Sequence, residues 1–243
     1  MNPKDQNASS QMPPLILASI SPRRHELLAL LGIPFRVVAS LADESRIRAR
    51  TPREFAVRAA CEKCLDVVER TGRSCVVIGA DTVVCFGPDD PLNPGTPQAR
   101  AGLPNGVWRG EGGAVSGMLG KPSGPEEAAG MLSLLSGRAH TVITAVAVWK
   151  PGDAAPRAES ETSRVTFRSL DKKRIDDYVA TVEPLDKAGA YGAQGHGAKL
   201  IESVEGDLRN VIGFPLSLVA RMLQGAYPGI IVPEPGFFRS ERD

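Results

Sequence analysis

A chain of 243 residues with 29 Lys and Arg against 28 Asp and Glu has room for one large or two small domains, and no global field to draw it to a nucleic-acid backbone or an anionic membrane. No apolar run reaches the ~18 residues that span a bilayer, and the N-terminal residues lack the charged-then-apolar pattern of a secretory signal. The four cysteines, Cys61, Cys64, Cys75 and Cys85, share one stretch with neither a second C-x-x-C pair nor a nearby His to complete a zinc site, so a reduced, cytoplasmic setting is expected.

Residues 1–13 and 228–243 are polar, Pro-containing stretches expected to be flexible tails, which leaves a domain over 14–227. The first apolar run, Leu15-Ile16-Leu17-Ala18, predicts a strand and leads through Ser19-Ile20-Ser21-Pro22-Arg23-Arg24 into a helical pattern that ends near Gly32-Ile33-Pro34. Ser21 suits an N-cap and Pro22 the first helical position, so the free N–H groups of the first turn point beyond the strand end, where anions collect. Arg23 and Arg24 are badly placed for the helix dipole. A polyanionic ligand gripped by guanidinium forks accounts for them; two solvated arginines after an ordinary cap are the plain alternative. Phe35–Val38 reads as the next strand, and Thr51-Pro52-Arg53-Glu54 as a capping box for a helix to about Arg70. Cys75 to Ala80 is continuously apolar, as a strand covered on both faces should be, and it delivers Asp81.

From Gly87 to Gly117 the chain turns rich in Gly, Pro and Asn without periodicity, which predicts a long inserted flexible loop. A helix over about Pro125–Ser136 follows. Thr141–Trp149 and Ser163–Arg168 alternate as an antiparallel hairpin, and Asp171 can cap the next helix. A Gly-rich loop at 183–197, a short strand near Lys199–Val204 and an amphipathic helix over Pro215–Leu223 complete the pattern. Strand–helix alternation with one hairpin indicates an α/β domain with a mixed sheet. Ligands of such sheets bind beyond the carboxyl ends of strands, where the Ser19–Arg24 turn and Asp81 are expected to fall.

Asp81 follows six uncharged residues, and a carboxylate there must be paired, bound to metal or raised in pKa, unless it caps the turn after the strand. Glu44 is a candidate to join it as an oxygen ligand for Mg²⁺. Lys63 and Lys121 are ordinary lysines whose interest comes from their company. The Gly-rich segment is neither a Walker A loop nor a dinucleotide turn. His25, His140 and His196 show no nucleophile–base arrangement.

Taken together, Leu17-Ala18-Ser19-Ile20-Ser21-Pro22-Arg23-Arg24, Gly79-Ala80-Asp81-Thr82-Val83-Val84, Gly120-Lys121-Pro122, the Asp186–Gly195 run and Asn210-Val211-Ile212-Gly213-Phe214-Pro215 resemble, in order and context, the Maf family of nucleoside triphosphate pyrophosphatases over roughly residues 14–224. The resemblance implies an elongated α/β fold, a mixed twisted sheet flanked by helices with a central cleft. It implies hydrolysis of a nucleoside triphosphate to the monophosphate and pyrophosphate, dependent on Mg²⁺ or another divalent metal such as Mn²⁺. Asp81 matches the catalytic acid–base position. Ser19, Arg23, Arg24, Glu44, Lys63 and Lys121 match polar positions of the phosphate cleft, with Glu44 and Asp81 on the metal. Arg23, Thr82 and Gln194 match the branch that handles dTTP and UTP rather than methylated GTP. The implied partner is the nucleotide, with a homodimer open and no nucleic-acid polymer or membrane expected. Turnover of another or modified nucleotide, and a nucleotide-binding role in cell division without turnover, stay open as alternatives. The Gly87–Gly117 stretch departs from the family's short connection, but closure entropy grows only logarithmically with loop length, so loss of activity does not follow.

Overall fold

The structure is a computed structural model that describes residues 12–85, 107–108, 117–234 and 236. Strand β1 (Leu15–Leu17) is apolar at every position because both its faces are covered. It pairs in parallel with β2 (Phe35–Val37) on one side and with β3 (Val76–Cys85) on the other. The crossovers are α1 (Pro22–Ala29) and α2 (Pro52–Thr71). Strand β6 (Ala139–Trp149) runs antiparallel to β3, and β7 (Arg157–Phe167) and β8 (Ile201–Glu205) extend the sheet antiparallel beyond it. Two short strands, β4 (Val107–Trp108) and β5 (Met118–Leu119), pair with each other, and β5 also pairs with the end of β3. The remaining helices are α3 (Pro125–Leu135), α4 (Lys172–Val179), α5 (Leu208–Ile212) and α6 (Leu216–Leu223). The mixed α/β architecture expected from the alternation is the one observed, as an eight-stranded mixed sheet among the described residues.

Alternation along β3 sorts its side chains between two helical layers. Val77, Val83 and Cys85 pack under α2 with Ala56, Ala60, Cys64 and Val67. Val76, Ile78 and Ala80 face α1 and α6 through Leu28, Leu216 and Val219. A third cluster joins α3 and α4 to β6, β7 and the Gly-rich segment. Gly79 lets α2 lie on the sheet: a Cβ there would sit 2.3 Å from the Ala60 carbonyl oxygen and 2.8 Å from the Cys64 nitrogen.

The sequence cues carry through with local differences. Thr51 caps α2 through Glu54 N at 3.1 Å, while Glu54 reaches back one residue further than a capping box requires, to Arg50 N at 2.7 Å. Asp171 caps α4 through Arg174 N. Strand β3 does not stop at Asp81. It runs on to Cys85 because β6 accompanies it throughout, Asp81 lying opposite Ala145, so Asp81 sits in mid-strand and there is no turn for it to cap. Strand β7 begins at Arg157, earlier than expected, and α5 has no counterpart among the expected elements. Within the expected loop over 87–117, Val107–Trp108 forms β4; most of the remainder lies outside the described residues, as do residues 1–11 and nearly all of 235–243. Pro233, Glu234 and Gly236 return hydrogen bonds to Ser217, Arg209, Leu208 and Asp207. No helix among the described residues is long and apolar enough to cross a membrane.

One edge of β3 carries two partners that do not meet. Strand β1 pairs with Val76–Ile78 and β5 with Val84–Cys85. Among the described residues, the edge from Gly79 to Val83 has no strand beside it. The sheet forks there, and the cleft opens in the fork.

Candidate active site

The fork opens into a cavity of about 620 Å³ with Ser19, Arg23, Glu44, Lys63, Asp81 and Lys121 on its walls. Asp81 is delivered by β3 on the face that packs against α2, and Lys63 stands above it on that helix. The Lys63 Nζ donates to Asp81 Oδ1 at 2.7 Å and lies 2.7 Å from Glu44 Oε1, so one ammonium bridges two carboxylates. Glu44 arrives on a short 3-10 turn capped by Asp43, whose Oδ1 accepts from Ser45 N at 3.1 Å. Burial pushes the Asp81 carboxyl above the usual carboxylate range; Lys63 opposes the shift and Glu44 adds to it. Burial also works against Glu44, yet the charges of Lys63, Lys121 and Arg24 hold it below its ordinary value. Two neighbouring carboxyls pushed in opposite directions are the arrangement that separates a proton-accepting carboxyl from a permanently ionised one.

Helix α1 forms the opposite wall. Ser21 occupies the N-cap with extended backbone but its hydroxyl caps nothing, and Ser19 Oγ instead accepts from Ser21 N at 3.2 Å. The first-turn N–H groups are therefore left without a side-chain cap, facing a cavity that Ser21, Pro22 and Arg23 also line. Arg23 is held loosely, 3.7 Å from Asp186 on the Gly-rich segment, and Lys121 makes no hydrogen bond or ion pair among the described residues. Asp186 is also bonded to Lys187 at 2.6 Å, and both line the cavity. Tyr191 lines it as well, with its hydroxyl 2.7 Å from the buried His140 Nε2. Burial first, then Arg164, push that imidazole down to about 3, so His140 is a neutral core residue.

The model of Maf-like proteins matches residues 14–226. The chain belongs to the Maf-like family. Maf-like relatives include a dTTP/UTP pyrophosphatase of Moorella thermoacetica, 42% identical over 87% of this chain and 94% of the relative. One of Symbiobacterium thermophilum is 43% identical over 89% and 96%, and one of Thermococcus kodakarensis is 38% identical over 86% and 94%.

Against this Maf-like frame, the structure brings Ser19, Arg23, Arg24, Glu44, Lys63, Asp81, Thr82 and Lys121 to one cavity and leaves Gln194 outside it. Arg24 turns its guanidinium into the protein: Nε donates to Gly213 O at 2.9 Å, one terminal nitrogen to Ala80 O at 2.7 Å and Ser19 Oγ at 3.5 Å, and the other to Thr82 Oγ1 at 3.2 Å. Four of its five N–H groups are thus committed, and Arg24 builds the cleft floor where the sequence suggested a phosphate fork. Gln194 is exposed and lies outside the cavity walls, because the extended backbone at 194 turns its side chain away from the side that Ala193 faces. Asp186, Lys187 and Tyr191 were not singled out from sequence, although they stand in the segment that carries the family likeness. The donor set suits a hard divalent cation: Lys63 takes Asp81 Oδ1 and Glu44 Oε1, which leaves the second oxygen of each carboxylate for one. No cluster of three His, Cys, Asp or Glu occurs among the described residues, so two carboxylates and substrate phosphates would form such a site, as Mg²⁺ commonly accepts.

Proposed function

We propose that this protein hydrolyses nucleoside triphosphates, dTTP and UTP foremost, to the nucleoside monophosphate and pyrophosphate. The observation that carries the reading is the Asp81–Lys63–Glu44 cluster in the fork of the sheet, facing the uncapped N-terminus of α1, in a chain about 40% identical to named dTTP/UTP pyrophosphatases. Lys63 fixes the Asp81 carboxyl, which accepts the proton of a water attacking the α-phosphorus. Burial raises the Asp81 pKa above that of a solvated Asp, which makes its carboxylate the stronger base. Arg23, Lys121 and the first-turn N–H groups of α1 take the charge that develops on the departing pyrophosphate. Ser19, already accepting from Ser21 N, keeps that turn open. A divalent cation on Asp81 and Glu44, of the Mg²⁺ or Mn²⁺ kind, supplies Lewis-acid polarisation of the phosphates when bound.

The test is purified protein with Mg²⁺ and a panel of dTTP, UTP, CTP, dATP, GTP and 7-methyl-GTP, pyrophosphate being resolved from phosphate, beside Asp81→Asn. The expected outcome is pyrophosphate from dTTP and UTP with turnover reduced ~10²-fold or more in the variant. Binding without product from any nucleotide would replace the reading with a nucleotide-binding role.

A further inference from the structure

Asp81 and Thr82 are consecutive in β3, so their side chains leave opposite faces of the sheet, and both line the cavity because it wraps the unpaired edge between them. The two halves of the cavity differ accordingly. The Asp81 half is charged. The Thr82 half is walled by Val84, Val142, Tyr191, Ala193, Val211 and Ile212, a surface suited to a planar base rather than to phosphate.

The hydroxyl of Thr82 has a fixed polarity, set by groups behind it. Thr144, fully buried on β6, bonds Asn210 O at 2.9 Å through Oγ1, and a backbone carbonyl only accepts, so Thr144 donates its one hydroxyl proton there. The Thr82 Oγ1 to Thr144 Oγ1 contact of 3.0 Å then leaves Thr82 as the donor. Arg24 donates to Thr82 at 3.2 Å and uses one lone pair. What Thr82 retains for the cavity is a single acceptor site. Asn210 holds the arrangement in place, its side chain accepting from Thr144 N at 3.1 Å and donating to Val142 O and Ser163 Oγ.

We propose that Thr144 is a positioning residue for substrate choice: by fixing the Thr82 hydroxyl as an acceptor, it makes the cleft select a base that presents an N–H there, the N3 imide of uracil or thymine, and reject cytosine, whose N3 is itself an acceptor. The proposal rests on the nucleotide reading of the site. It also fixes the approach of the base, since an acceptor facing position 4 would favour cytosine's amino group and one facing the 2-carbonyl would favour neither base. The apolar walls accept the 5-methyl group of thymine.

The experiment compares wild type, Thr144→Val and Thr144→Ser by kcat/KM for UTP and CTP with Mg²⁺, by dissociation constants for UMP and CMP, and by Tm. In Thr144→Val the Thr82 hydroxyl regains a free proton and can serve either base. The expected result is a UTP-to-CTP preference, and a UMP-to-CMP affinity ratio, lower by roughly tenfold or more, and restored in Thr144→Ser. Unchanged ratios in a folded Thr144→Val, a serine variant that behaves like the valine one, or a wild-type preference for CTP would each overturn the proposal. If wild type cleaves no triphosphate, the hydrolytic reading falls, while the monophosphate affinities still decide the role of Thr144. Should the valine variant not fold, Thr82→Ser, which keeps the donor chain, must keep the wild-type ratio; its loss overturns the proposal equally.

Discussion

Replacing Lys63 by Met tests the central cluster through stability rather than turnover. The substitution keeps most of the length of the Lys63 side chain and removes the ammonium that bridges Asp81 and Glu44, each at 2.7 Å. The Asp81 side chain is only 9% exposed, so it loses a charge-assisted bond worth about 2 kcal/mol and stays buried beside a like charge. The Glu44 side chain, 45% exposed, is screened by solvent and contributes less than about 1 kcal/mol. The sum is about 2–3 kcal/mol, or ~4–12 °C in Tm for a chain of this size. The pH dependence has a definite sign. Asp81 has a raised folded pKa, so its contribution to stability is full below the ordinary carboxylate value and is lost as pH rises through the raised one; without Lys63 that loss deepens. Glu44 has a depressed folded pKa, so its contribution is present above the ordinary value and lost as pH falls; without Lys63 it disappears. The Asp81 effect widens the gap between variant and wild type as pH rises above the ordinary carboxylate range, while the Glu44 effect is complete above that range and fades only below it, so the gap is widest near pH 8 and narrowest towards pH 4. Differential scanning fluorimetry across that range, in chelating buffer so that no cation substitutes for the ammonium, gives the answer. A loss under about 1 kcal/mol, or a gap that does not change with pH, would refute the view that Lys63 neutralises a buried acidic pair.

Arg24→Lys abandons carbonyls that a guanidinium reaches in several directions at once, Gly213 O and Ala80 O among them, and should lower stability by about 2 kcal/mol in thermal melts. Arg23→Lys breaks only a 3.7 Å contact, so its melting temperature should stay within a degree or two of wild type while KM rises. Gly79→Ala should cost ~3 kcal/mol or more, since backbone and not a movable side chain occupies the space at 2.3 Å; a chemical-denaturation midpoint close to wild type would show that α2 can lift away.

The layered fold was legible because its signals are local and agree: Pro22, Pro52 and Pro125 each open a helix where expected, and the apolar runs at 15–17 and 76–80 become strands covered on both faces. The end of β3 was not legible. A carboxylate after an apolar run resembles a strand terminus, and only the partner supplied by α2 allows the strand to carry a charge in its middle. Helix α5 is five residues long, too short for a helical period to register, and is marked only by its Asp207 cap and by Gly213 in the left-handed region. Of the site, composition and spacing indicated the Ser19–Arg24 turn and Asp81, and resemblance added the lysines. The inward direction of Arg24 and the outward one of Gln194 depend on which carbonyls and loop backbones come close in three dimensions. The same holds for Thr144 and Asn210, whose hydroxyl and amide acquire meaning only through the neighbours of Thr82.

The forked edge of β3 has a consequence for solubility. An unpaired strand edge is ordinarily an invitation to another chain, and proteins blunt such edges with charge, bulges or covering loops. Here the open stretch from Gly79 to Val83 lies between β1 and β5, with the Arg24 guanidinium already seated on the Ala80 carbonyl. An opening of five residues, flanked by strands at both ends, admits a small molecule but not a docking strand. The feature that would promote aggregation on an outer edge is thereby confined to a recess where a nucleotide can reach it and a second polypeptide cannot.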